Sequence, residues 1–235
     1  MKRFAGKTAV VTGATGHLGR ATSLRLAQEG ARLVLMGRDV GALEALSDEL
    51  PGDHRVCALD LLDREAVLAA VQQAETEFGS IDCLIAAAGG FDMGPKVHEV
   101  GADGWQNMQA LNLETLLSVL AAVVPGMKQR EFGQIVTVGA YAALKGGAGM
   151  GPYVAAKSAV MRATESASAE LKPHNINVNG VLPSVLDTPD NRNAMPGADT
   201  GKWVTLDKLA AVIAFLVSDD SAAVHGALIP VTGKS

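Results

Sequence analysis

Cysteine is scarce in this chain of 235 residues, which contains only Cys57 and Cys83. Each lies inside an apolar run, so we expect two buried, reduced thiols rather than a disulfide or a metal site. A cluster of basic residues is also lacking, and the formal net charge is −5. Since nucleic-acid binding depends on such clusters, we expect no nucleic-acid partner.

Long uninterrupted apolar runs are absent as well. None reaches the ~18 residues of a membrane span, so we expect no membrane partner. The N-terminal residues run straight into an apolar strand, which cleavage of a signal peptide would remove. Hydrophobic residues make up 48% of the chain and charged residues 19%, a balance typical of a folded domain. These features predict one cytoplasmic domain over residues 1–235.

Short apolar runs alternate with helical patterns along the chain. Residues 64–78 and 206–217 place apolar side chains at the i, i+3, i+4, i+7 spacing of an amphipathic helix. The short runs are continuously apolar, as expected of strands in a sheet covered on both faces. The alternation predicts a single-domain α/β Rossmann fold with a doubly wound, parallel, seven-stranded sheet. The predicted strands are 7–11, 32–36, 55–59, 83–87, 134–138, 175–181 and 227–231.

Residues 184–203 break this alternation, because they are rich in proline and glycine and show no periodicity. A loop of this length inside a compact domain is usually functional. It follows the predicted sixth strand, so it lies at the carboxyl edge of the sheet, where such folds bind ligands. We predict that it is a lid over the substrate.

A glycine-rich segment, residues 12–19, lies between the first predicted strand and the first helix. Such a turn lets the backbone approach a pyrophosphate, and the helix N-terminus offers free N–H groups and a partial positive charge. A purely structural turn is the alternative. The segment therefore predicts a dinucleotide site formed by Gly13, Thr15, Gly16, His17, Leu18 and Gly19.

The end of the second strand indicates which dinucleotide binds. An acidic residue there binds the ribose 2′-hydroxyl, whereas an arginine accommodates a 2′-phosphate. The chain has Gly37 where the acid is expected, then Arg38, and His17 could add a donor. NADP is therefore predicted, with NAD and a merely solvated Arg38 as the alternatives. Asp60, after the third strand, is predicted either to contact the adenine edge or to cap a helix.

Tyr153 precedes Lys157 by four residues, at the start of a predicted helix that runs to about residue 171. Residues at this spacing share a helix face, so the phenol and the ammonium can meet. A phenol has a pKa near 10, and lowering it by ~3 units takes ~4 kcal/mol. A lysine and a nicotinamide cation together could supply that. The pair predicts proton transfer coupled to hydride transfer.

With these motifs in this order, the sequence resembles the short-chain dehydrogenases/reductases across nearly its whole length. The resemblance implies that Tyr153 donates or takes the proton, that Lys157 lowers its pKa and binds a ribose, and that Asn112 supports a proton-relaying water. It implies a homodimer or homotetramer. It also implies that Thr188 touches the nicotinamide carboxamide and that further cofactor contacts come from Leu61, Ala88, Gly89, Pro183 and Val185.

The chain departs from that family thirteen residues before Tyr153, where Ala140 replaces the expected serine. In the family this serine donates a hydrogen bond to the substrate carbonyl oxygen, and losing one such donor costs ~10²–10³ in rate at comparable sites. Thr137, Tyr141 or Ser184 could supply a replacement hydroxyl, with structural roles as the alternatives. Other departures are the TGxxGxxG spacing, Ala-Ala-Ala-Gly at 86–89 and Ser184 after Pro183.

The second half of the chain is similar to the quinonoid dihydropteridine reductase branch, at residues 139–144, 149–153 and 186–196. That branch also lacks the serine, and its conjugated ring accepts hydride without a clamp on a carbonyl oxygen. The similarity does not extend to Asn112 or Arg38. The sequence predicts an NADPH-dependent reductase of a small carbonyl, quinone-like or pterin-like imine substrate. A dinucleotide-binding sensor or partner subunit with little catalysis is the alternative.

Three further side chains are candidates for substrate contact. Arg192 could bind a polar substrate edge or form a surface salt bridge. Met150 could line the pocket or pack in the core. Trp203 is expected to pack the lid against the body of the domain rather than to stack on substrate.

Overall fold

Seven parallel strands form one sheet in the order β3-β2-β1-β4-β5-β6-β7, in a computed structural model that describes residues 2–234. The order reverses between β1 and β4, and dinucleotides bind at such a switch point. The predicted α/β fold and its seven strands are confirmed. The strands are β1 (Thr8–Thr12), β2 (Arg32–Gly37), β3 (His54–Ala58), β4 (Cys83–Ala86), β5 (Gly133–Val138), β6 (Ile176–Pro183) and β7 (Leu228–Val231).

Helices cover both faces of the sheet. Adjacent strand residues point to opposite faces, so Val11 packs in one core cluster with Leu26 and Leu209, while Val10 packs in the other with Val71. This two-sided burial explains the continuous apolar strands. The helices are α1 (His17–Gln28), α2 (Val40–Glu49), α3 (Arg64–Phe78), α4 (Ala102–Gln109), α5 (Thr115–Arg130), α6 (Gly151–Leu171), α7 (Pro189–Ala194) and α8 (Leu206–Leu216).

The segment 184–203 differs from the predicted loop, because it contains α7 and a 3₁₀ turn at Thr200–Lys202. Thr188 caps α7, since its Oγ1 accepts a hydrogen bond from Asn191 N at 3.2 Å. Pro189 follows at the first helical position, where no N–H donor is needed. A helix of six residues is too short to show an apolar period, so the sequence pattern missed it.

One helical run, Ala102–Arg130, is long and apolar enough by length and composition to span a membrane, with a mean hydropathy of 1.6. It comprises α4, a π turn at Ala110–Glu114, and α5. Val119, Val123 and Met127 from this run are buried in the core cluster beneath the sheet. Part of the run therefore packs into the core, and a single helix of this length and composition is weak evidence for a membrane span.

Cys57 and Cys83 are buried, free thiols, as predicted. Burial raises the pKa of both, so neither is activated as a nucleophile. Across residues 2–234, no three His, Cys, Asp or Glu side chains gather to hold a metal ion.

Candidate active site

The glycine-rich loop is shaped by close backbone contacts. Gly13 has a φ of +62°, and a Cβ there would lie 2.9 Å from the Ala88 Cα. Thr12 Oγ1 accepts a hydrogen bond from Ala88 N at 3.1 Å, which ties the loops after β1 and β4 together. A Cβ on Gly19 would lie 2.1 Å from the Gly13 carbonyl oxygen. The first and last glycines of the TGxxGxxG spacing are thus required by packing within the loop.

The N-terminus of α1 fits a pyrophosphate. Gly16 is its N-cap and supplies no side-chain hydrogen bond, so no capping side chain satisfies the first-turn N–H groups. These N–H groups, with the partial positive charge of a helix N-terminus, form an anion site. The Leu18 side chain is buried in the core, so Leu18 can contact a dinucleotide only through its backbone. The residues present therefore fit a dinucleotide at this loop.

His17 makes a contact that the sequence did not predict. Its Nε2 lies 3.1 Å from Asp190 Oδ2 on α7, so the glycine-rich loop touches the segment predicted to be the lid. Both side chains are exposed, and exposed ion pairs contribute little to stability. The contact places the predicted dinucleotide loop beside the predicted lid.

Arg38 lies directly after β2, exposed to solvent, and forms no ion pair with any carboxylate in the described part of the chain. The neighbouring Asp39 carboxylate is occupied, since its Oδ1 accepts from Ala42 N and caps α2. The Arg38 guanidinium is therefore open to an anion.

Asp60 is exposed, and its Oδ1 accepts a hydrogen bond from Leu62 N at 3.0 Å. The alternative role as a helix cap is wrong, because Asp63 caps α3 by accepting from Ala66 N. Leu61 is buried in the core, so its side chain is not open to a ligand. Asp60 remains at the end of β3, where its side chain can face a ligand.

Tyr153 and Lys157 lie one turn apart on α6. Lys157 is 6% exposed, and its Nζ donates a hydrogen bond to the Val138 carbonyl oxygen at 2.8 Å. Burial lowers the pKa of Lys157 to about 8 and raises the pKa of Tyr153 to about 12. The predicted lowering of the Tyr153 pKa involves Lys157 and a nicotinamide cation together, so it stays a prediction. Desolvation of the phenolate is the cause of the raised Tyr153 pKa, and the Lys157 ammonium faces β5.

Asn112 lies in the π turn, a feature that often marks functional sites. Its Nδ2 donates to the Met108 and Gly90 carbonyl oxygens at 3.0 and 3.1 Å, and its Oδ1 accepts from Gly90 N at 3.2 Å. A Cβ on Gly89 would lie 2.7 Å from Asn112 Oδ1 and 3.1 Å from Lys157 Nζ. The absence of a side chain at Gly89 thus lets the amide and the ammonium face one small space.

Ala140 is 4% exposed and belongs to an apolar cluster. Two of the candidate replacement hydroxyls are already engaged: Thr137 Oγ1 lies 2.7 Å from Thr164 Oγ1, and Ser184 Oγ donates to the Thr232 carbonyl oxygen. Tyr141 lies in an exposed 3₁₀ turn. The side chains around Ala140 form an apolar wall beside Tyr153 and are Ala143, Met150, Val154, Met161 and Leu182.

The loop after β6 brings its predicted residues to the same edge of the sheet. Pro183 ends β6, Val185 accepts a backbone hydrogen bond from Val204, and Thr188 is buried. Of the two roles considered for Arg192, the structure shows the salt bridge, since its Nε and Nη2 donate to the two carboxylate oxygens of Asp187 at 2.5 and 2.9 Å.

Trp203 is buried, in agreement with the predicted packing role. Met150 packs against the Ala140 cluster, so of its two predicted roles, pocket lining and core packing, the structure shows core packing.

Phe91 is a site residue that the sequence reasoning missed. Its ring meets the Tyr153 ring edge-on, with centroids 4.8 Å apart and an interplanar angle of 83°. The available signal was an aromatic residue two positions after the 86–89 motif, at the carboxyl end of β4. This contact places the Phe91 ring beside Tyr153, the predicted proton donor.

Comparison with known proteins identifies relatives over the whole chain. A family model described as short chain dehydrogenase matches residues 7–198. The 3-oxoacyl-[acyl-carrier-protein] reductase FabG of Thermotoga maritima is 30% identical over 98% of both chains. Cis-4-hydroxycyclohexanecarboxylate dehydrogenase of Sinomonas cyclohexanicum is 32% identical, over 98% of this chain and 96% of its own. Among solved structures, NAD⁺-bound xylitol dehydrogenase superposes with a TM-score of 0.90 at 28% identity, covering 98% of this chain and 99% of that one.

Proposed function

Because this chain belongs to the short-chain dehydrogenase family and is an NAD(P)-dependent oxidoreductase, we propose that it is an NADPH-dependent reductase of a small conjugated substrate. The substrate class is a quinone-like ring, a pterin-like imine or a conjugated carbonyl. The observation that carries this proposal is the apolar wall at Ala140 beside Tyr153. The similarity of the second half to quinonoid dihydropteridine reductase stays a prediction.

The proposed binding of NADPH rests on the N-terminus of α1, on Lys157 and on Arg38. When bound, the nicotinamide supplies or accepts the hydride. The first-turn N–H groups of α1 hold the pyrophosphate, and the buried Lys157 ammonium holds a ribose. The unpaired Arg38 guanidinium, with His17 in the glycine-rich loop, supports NADPH over NADH by binding the 2′-phosphate.

The proposed proton transfer rests on Tyr153. Its high pKa keeps the phenol protonated at neutral pH, so it can donate to a substrate heteroatom that gains charge. A simple carbonyl oxygen needs a second donor to stabilise that charge, and the wall at Ala140 offers none. A conjugated ring spreads the charge over several atoms. The apolar wall at Ala140 therefore favours a conjugated substrate. The protonated phenol of Tyr153 favours reduction as the direction of the reaction.

The proposed function is tested by single-turnover oxidation of NADPH with quinonoid pterins, quinones, diketones and simple ketones. We expect the conjugated rings to react fastest. Faster turnover of simple ketones would contradict the substrate class. Tight NADPH binding without turnover of any compound would favour the alternative, a dinucleotide-binding protein with little catalysis.

Ala140→Ser is expected to raise kcat/KM for a simple ketone by about 10-fold, because a hydroxyl there can donate to the carbonyl oxygen. The rate with a quinone should change by less than about 2-fold, since that substrate does not depend on such a donor. Steady-state kinetics with both substrates measure the effect. Ala143→Ser, in the same buried cluster, is the matched control. If kcat/KM for the ketone does not rise while NADPH affinity is unchanged, the missing hydroxyl at Ala140 does not determine the substrate class.

NADPH affinity is expected to fall as the pH rises through about 8, the lowered pKa of Lys157. Below that pH the ammonium is present, and above it the neutral amine loses its attraction for the cofactor. The dissociation constant should rise by about 3- to 10-fold between pH 8 and 9, since a single proton is involved. Fluorescence titration measures it, and Lys157→Met should bind NADPH weakly with no such step. A step of the same size in Lys157→Met would assign the dependence to another group.

Assembly and location belong to the same proposal. We propose a homodimer or homotetramer in the cytoplasm. Small residues along α6 permit close helix packing, and Leu117 on α5 is exposed.

A further inference from the structure

We propose that Phe91 determines substrate specificity, by forming the wall against which a planar, conjugated ring of the substrate packs. This inference rests on the proposed function and narrows it from conjugated substrates in general to ring-shaped ones. Phe91 follows β4 and is not part of any motif that the sequence analysis used.

The position of the ring supports this role. Phe91 is 59% exposed, yet its ring and the Tyr153 ring are in perpendicular, edge-to-face contact. It therefore contacts the proton donor on one side and leaves most of its surface open. Aromatic side chains favour offset or edge-on contact with a further ring, so a planar ligand beside Tyr153 would gain from Phe91.

The backbone around Phe91 is held on both sides. Asn112 binds both backbone polar groups of Gly90, the residue before it. Beyond it, Gly94 N donates to the Gly149 carbonyl oxygen at 2.8 Å, which ties this loop to the approach to α6. Since both anchors lie within three residues of the ring, Phe91 is preorganised for a ligand rather than carried on a free loop.

The surrounding surface matches an apolar ring. Exposed apolar side chains follow three adjacent strands at the carboxyl edge: Met93 after β4, Tyr141 and Leu144 after β5, and Met195 after β6. Arg192, on α7 after β6, has its guanidinium paired with Asp187. An exposed apolar rim of this kind usually marks a binding surface. It favours a flat apolar ligand over an acyclic polar one.

The test uses binding without turnover. Calorimetry of the full chain saturated with NADP⁺ measures the affinity for 9,10-phenanthrenequinone, a rigid planar ring, and for ethyl acetoacetate, an acyclic keto ester. Phe91→Ala and Phe91→Leu should weaken quinone binding by about 3- to 10-fold, the size of an aromatic contact, and Phe91→Tyr by less than about 2-fold. Keto-ester binding should stay within about 2-fold of wild type in all three variants, since it has no ring to stack.

The control variant is Leu68→Ala on α3, which removes an exposed apolar side chain outside the rim that follows β4, β5 and β6. NADP⁺ affinity, measured first, shows that each variant is folded. Equal quinone affinity in Phe91→Ala and wild type, equal weakening of both ligands, or no quinone binding by wild type would each overturn the inference. Quinone binding that depends on Phe91 without any NADPH oxidation would instead reject the proposed function, and Phe91 would then determine only which ring binds.

Discussion

Tyr153→Phe is expected to lower the single-turnover rate of NADPH oxidation by about 10³-fold, within the range that a positioned acid contributes. Burial raises the pKa of Tyr153 to about 12, so the wild-type phenol carries its proton throughout the neutral range. Phenylalanine keeps the ring and its edge contact with Phe91 and removes only the hydroxyl. The loss should therefore fall on the chemical step, with NADPH affinity changed by less than about 2-fold.

Stopped-flow kinetics with a quinone measure this loss, and fluorescence titration measures NADPH affinity. Thr76→Val is the control, because it removes an exposed hydroxyl on α3, outside the rim that follows β4, β5 and β6. We expect its rate to stay within about 2-fold of wild type, as for surface changes in general. An equal rate in Tyr153→Phe would show that the proton comes from water or another group.

The elements that the sequence predicts well are those set by local pattern. α3 has the predicted bounds, because its apolar period is regular and Asp63 caps it. The ends of the other predicted elements differ from the structure by one or two residues. The ends of strands depend on which residues pair with the neighbouring strand. For example, β6 reaches Pro183 because Pro183 pairs with Val231 of β7.

The electrostatics of the site could not be predicted from spacing. The spacing of Tyr153 and Lys157 indicates that they share a helix face, but their pKa values depend on burial by residues distant in sequence. Lys157 faces Val138 on β5, and Tyr153 lies under Phe91 after β4. Both contacts arise from the order of strands in the sheet rather than from local sequence. For the same reason the Gly90 partner of Asn112 and the His17–Asp190 contact were missed.

A double substitution, Gly37→Asp with Arg38→Asn, is expected to change the ratio of NADPH to NADH affinity by about 100-fold in favour of NADH, because charged hydrogen bonds contribute about 1.5–3 kcal/mol. The new carboxylate would accept from the ribose 2′-hydroxyl and repel a 2′-phosphate. The loss of the Arg38 guanidinium removes the partner of that phosphate.

The fold should accept this change. The three heavy atoms nearest to a Cβ on Gly37 would belong to the Leu43 side chain, at 3.5–3.7 Å, which is ordinary van der Waals contact. The φ of Gly37 is not among the positive values of the chain, so an aspartate there is not strained. Arg38 forms no ion pair within residues 2–234 whose loss would destabilise the domain. A change in cofactor preference can therefore be separated from a change in stability.

Calorimetric titration of both dinucleotides measures the ratio, with Arg162→Asn on α6 as the control for losing an exposed arginine. The single variant Arg38→Asn should weaken NADPH binding and leave NADH binding within about 2-fold, since it removes only a phosphate contact. Phosphate contacts are charge-dependent, so the wild-type preference for NADPH should also shrink as the salt concentration rises. Equal NADPH affinity in wild type and Arg38→Asn would instead establish Arg38 as a solvated residue, and the preference for NADPH would then have to rest on His17.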